Sequence, residues 1–151
     1  MNGLLLDTEV LGLAMRPQGR ELGLWLAERD ERKLFICVVT LGAFACEIER
    51  AKPDRASFER YAAALEQLRE RFDDRVLPIN AAIAQRAGEL AGRASAAGDA
   101  RLSLTQTLVA ATAFHHGLTL LALEPAAFGG TGVQTQAPPS QPGPSLEPAS
   151  P

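Results

Sequence analysis

The feature that most restricts the fold is a set of short apolar runs separated by longer segments of helical period. The first run, Gly3 to Asp7, is too short for a helix of its own, ends on an acid, and suits a buried strand. Leu34 to Thr40 is rich in β-branched and aromatic residues and reads as a second strand. Val76 to Ile79 and Leu118 to Leu121 read as a third and a fourth, and a short last strand is expected near Val133. Between them lie helical stretches: Thr8 to Met15, closed before Pro17, then Glu21 to Arg29, then Leu41 to Arg50. After Pro53, Phe58, Tyr61, Leu65, Leu68 and Phe72 recur at spacings of three and four and mark one apolar helix face. Asn80 can cap a helix to about Ala97 with Ile83, Ala87, Leu90 and Ala94 as its stripe. Thr105 can cap another, Gln106 to His116, which Gly117 would stop.

Strands alternating with helices imply βαβ units, hence an α/β fold with a central parallel sheet between two helical layers. Ligands in such a sheet bind beyond the carboxyl ends of the strands. That singles out Asp7, Thr40 and the segment after Leu121.

Composition closes off other classes. The chain has 151 residues, enough for one domain, and is 46% hydrophobic. A net charge of -3 provides no global basic field for nucleic acid, and the charged runs read as solvated helix faces. Met1 to Val10 has an Asp in its apolar run and no basic start, so it does not read as an export signal. No apolar run reaches the roughly 18 residues of a membrane span. Cys37 and Cys46 lack a CxxC spacing and read as free buried thiols in a reducing cytoplasm. From Gln134 to Pro151 the chain is Pro, Ser, Gln, Gly and Ala with one large apolar residue, Leu146, so residues 134–151 read as a disordered tail after a domain of residues 1–133.

Five stretches, in order, resemble PIN domains of the VapC toxin type. They are LLLDTEVL at Leu4 to Leu11, Trp25-Leu26, VVTLGAF at Val38 to Phe44, LSLTQTLVAATAFHHGLTLL at Leu102 to Leu121, and FGGTGV at Phe128 to Val133. The resemblance implies a three-layer α/β/α PIN-like fold. It also implies a site of three or four acids at the carboxyl ends of the strands, holding Mg²⁺ or Mn²⁺ for RNA cleavage. It implies RNA as substrate, a small antitoxin as protein partner, a homodimer, and a cytoplasmic protein with no membrane association.

Carried over position by position, that site is eroded. Asp7 stands at the first acid position. Ala43, Gln106 and Ala127 occupy the positions where the family has its other acids, Glu124 falls where the family has an Asn, and Glu9 replaces the Asn after Asp-Thr. Glu47, one turn beyond Ala43, would carry a carboxylate about 5.4 Å away, too far to replace a ligand at about 2.1 Å. Thr40 and Thr112 match family threonines and would orient water or carboxylates, or hydrogen-bond the backbone. His115 and His116 end a helix without partner ligands.

Three readings follow. The chain is a VapC-like protein with impaired or lost cleavage, or an active metal-dependent ribonuclease using Asp7, Glu9 and Glu124, or a non-catalytic partner-binding module. The missing carboxylates favour the first, with Asp7 as the retained, weak metal ligand and Asp7, Gln106 and Glu124 facing one cleft.

Overall fold

The structure is a computed structural model that describes residues 3–96 and 102–139. Its element order is β1 (Leu4–Leu6), α1 (Thr8–Ala14), α2 (Arg20–Ala27), β2 (Leu34–Cys37), α3 (Val38–Ala51), α4 (Arg55–Arg71), β3 (Val76–Leu77), α5 (Ala81–Ala96), α6 (Leu104–His116), β4 (Thr119–Leu121) and β5 (Thr135–Gln136). Short 3₁₀ segments precede α2 and β2, and a longer one, Pro125–Thr131, follows β4. The strands form a single sheet in the order β3-β2-β1-β4-β5, and every pairing is parallel. The α/β/α architecture expected from the alternation is therefore the one observed.

Period-two alternation splits the strands between two cores. Leu6, Leu34, Ile36 and Leu121 point into one, closed by Val10, Leu22, Leu26, Phe44, Leu68 and Phe72 from α1 to α4 and the turn after it. Leu5, Cys37 and Leu120 point into the other, closed by Val109, Ala110 and Ala113 of α6 and by Phe128. Helix α5 packs on α6, with Ile83, Ala87 and Leu90 against Ala111. Trp25 is half-buried against the first core, with the Arg29 guanidinium 4.3 Å from its ring centre.

Local chemistry sets the ends. Asn80 Oδ1 accepts from the Ile83 amide at 2.9 Å, so the expected cap of α5 is present. Gly117 closes α6 in the left-handed region at φ 65°, where a Cβ would be strained. The cap of α6 is Ser103, not Thr105: its hydroxyl accepts from the Gln106 amide while the Gln106 side chain accepts from the Ser103 amide, a reciprocal capping box. Helix α4 starts at Arg55, with Asp54 at its N-cap position and Pro53 just ahead of it, and α3 starts at Val38, so the strand expected to reach Thr40 ends at Cys37. Gly19 packs against the end of α1, and a Cβ there would lie 1.8 Å from the Leu13 carbonyl oxygen. The Arg75 guanidinium binds the carbonyls of Glu31, Leu34 and Arg71, pinning the outer edge at β2 and β3.

Both cysteines are free, but Cys46 is exposed rather than buried. Four ion pairs join exposed side chains three or four residues apart, the solvated-face pattern expected of the charged runs. No helix among the described residues is long and apolar enough to cross a membrane.

One boundary moves. The last strand lies at Thr135–Gln136, beyond Val133 and inside the segment read as tail. Its backbone accepts from β4 through Leu120 N to Gln134 O (2.9 Å) and Ala122 N to Gln136 O (3.0 Å). Residues 140–151 lie outside the described residues, so the remainder of that reading falls outside them. A chain cut after Val133 should melt several degrees below one cut after Pro139. Losing two ladder bonds removes about 2 kcal/mol; equal melting temperatures would show that β5 contributes nothing.

Candidate functional site at the carboxyl edge of the sheet

Parallel strands bring β1, β2 and β4 to one edge, where each ends near a residue singled out by sequence. Asp7 follows β1 directly. Its amide donates to the Leu121 carbonyl at 3.0 Å, extending the β1–β4 ladder by one bond before α1 begins. Its Oδ1 accepts from the Thr8 amide at 2.9 Å, making Asp7 the N-cap of α1. Its Oδ2 is buried with no hydrogen-bond partner. Burial raises the Asp7 carboxyl to about pH 6, against the opposing Thr8 amide bond, and the nearby Glu9 charge adds a little to the rise.

Beside Asp7, the Thr8 and Thr40 hydroxyls share a hydrogen bond of 2.9 Å. Thr40 is wholly buried, so its hydroxyl is committed to Thr8 rather than to solvent. Thr112 donates to the Leu108 carbonyl at 2.7 Å, the backbone role weighed for it, and lies 3.5 Å from Cys37 Sγ. Burial pushes the Cys37 thiol up despite that contact.

A cleft of about 700 Å³ opens next to this edge, lined by Thr8, Glu9, Ala43, Glu47 and Leu123, with Arg16, Arg60 and Tyr61 on its outer wall. Ala43, at a lost acid position, presents a methyl group where the resemblance calls for a carboxylate. Glu47 also lines the cleft and is engaged by Arg50 at 3.2 Å. Asp7, Gln106 and Glu124 are not among the residues that line it. Gln106 Oε1 accepts from the Ser103 amide in the capping box, and Glu124 is exposed at the start of the Pro125–Thr131 segment. Ala127 packs against the second apolar core. His115 and His116 meet edge to face at 5.0 Å at the end of α6, where burial lowers His116.

The donor set does not fit a hard divalent cation. Among the described residues, no three His, Cys, Asp or Glu side chains converge where they could hold one ion. The set Asp7, Glu9 and Glu124 is therefore not assembled. Mg²⁺ requires oxygen ligands at about 2.1 Å in near-octahedral array. Here the one retained acid has an oxygen sealed from solvent and its other oxygen on a backbone amide.

A family model for the PIN domain matches residues 4–126. The chain belongs to the PIN-domain family. No curated protein matches it. Among solved structures, FitAcB from Neisseria gonorrhoeae superposes with a TM-score of 0.72 at 21% identity, covering 87% of this chain and 95% of that one. FitAB bound to the IR36 DNA fragment gives 0.77 at 20% identity, covering 89% and 94%. DNA-bound VapBC from Salmonella typhimurium gives 0.69 at 19%, covering 91% and 98%. At such identities the likeness is one of fold, and it extends the PIN architecture to nearly the whole of each neighbour.

Sequence reasoning placed Asp7 and Thr40 at the site but missed the Thr8–Thr40 hydroxyl pair and the reciprocal use of Gln106. The Ser-x-x-Gln spacing at Ser103 and Gln106 was the available signal for the second. For Asp7, the raised folded-state value means that the fold binds its proton more tightly than the unfolded chain does. Its contribution to stability is thus fully present below the unfolded value of 3.8 and is lost as pH rises through about 6. The full shift corresponds to about 3 kcal/mol. Asp7→Asn keeps an acceptor for the Thr8 amide and removes the charge. It should therefore raise stability at about pH 8 by about 1–3 kcal/mol, with the gain shrinking toward about pH 4.5. Urea unfolding at the two pH values checks this, and a variant less stable than the parent at the higher pH would contradict it.

Proposed function

We propose that this chain is a VapC-like PIN-domain protein of a type II toxin–antitoxin system whose RNA cleavage is lost or strongly impaired. Its partner in this reading is a small antitoxin, and it pairs with a second copy as a homodimer. PIN domains as a family are metal-dependent nucleases. The observation that carries the reading is the state of the carboxyl edge. Ala43, Gln106 and Ala127 offer no carboxylate, no three ligands converge among the described residues, and Asp7 is buried as a helix cap with its free oxygen closed off. The parent fold survives intact around that edge, so the scaffold is kept where the chemistry has gone.

Loss of one preorganised electrostatic element commonly costs about 10²–10³ in rate, and here several are replaced. The partner part of the reading draws on two observations. Solved structures that share the fold include FitAB and VapBC assemblies, some of them on DNA. In addition, the α1–α2 pair and α4 leave an apolar groove between them, lined by Leu11, Met15, Leu26, Leu68 and Phe72. Such a groove suits an amphipathic segment of a second protein.

Cleavage of total RNA with Mg²⁺ or Mn²⁺ tests the reading. The unmodified chain should stay at background. Ala43→Glu, Gln106→Asp and Ala127→Asp together should raise metal affinity and recover cleavage. Mg²⁺-dependent cleavage by the unmodified chain that Asp7→Ala abolishes would overturn the reading and establish an active ribonuclease with a rearranged site.

A further inference from the structure

We draw no further inference here: the strongest candidate, the pair of exposed arginines Arg16 and Arg60 on the outer wall of the cleft beside the carboxyl edge, belongs to the site already described, and nothing in the structure shows what covers it.

Discussion

One constraint organises the molecule: every strand runs the same way, so every strand delivers its carboxyl end to one edge. The bond from the Asp7 amide to the Leu121 carbonyl continues the β1–β4 ladder to its last residue and fixes where α1 starts. From that point the Asp7 side chain turns back onto the Thr8 amide, and the Thr8 hydroxyl meets Thr40 at the first turn of α3. The polar layer at the edge is therefore short and local, and two apolar cores on either face of the sheet hold it in place.

The same geometry that could gather carboxylates gathers something else in this chain. A methyl at Ala43 faces the cleft and another at Ala127 packs into the second core, while Gln106 closes a helix end. Each residue takes up a structural role at its position. Asp7 remains as a buried acid that favours its protonated form, a burden on the fold at neutral pH with only the cap of α1 as visible compensation.

Much of the fold was legible because its signals are local. Short apolar runs gave β1 and β4, the three-four spacing of Phe58 to Phe72 gave α4, and Asn80 and Gly117 marked helix ends by their own side-chain or backbone chemistry. Misplaced boundaries came from competition between local signals. Val38, Val39 and Thr40 look like strand by propensity, yet packing of α3 on α4 draws them into a helix. Thr135 and Gln136 sit in a stretch whose composition argues for disorder, and only the exposed ladder groups of β4 recruit them. At the site, sequence located Asp7 and the missing acids but not their surroundings. Whether an oxygen of Asp7 is open or sealed, and whether Gln106 points to a cleft or to its own helix cap, depends on the packing of segments far apart in sequence.

We propose, centrally, that Asp7 serves as a protonatable, buried cap rather than as a metal ligand. The most direct measurement follows the Asp7 carboxyl carbon by NMR through a pH titration, with and without Mg²⁺. The account predicts a midpoint near 6 that Mg²⁺ leaves in place. A midpoint that falls on adding Mg²⁺, as a carboxylate bound to a cation requires, would contradict it.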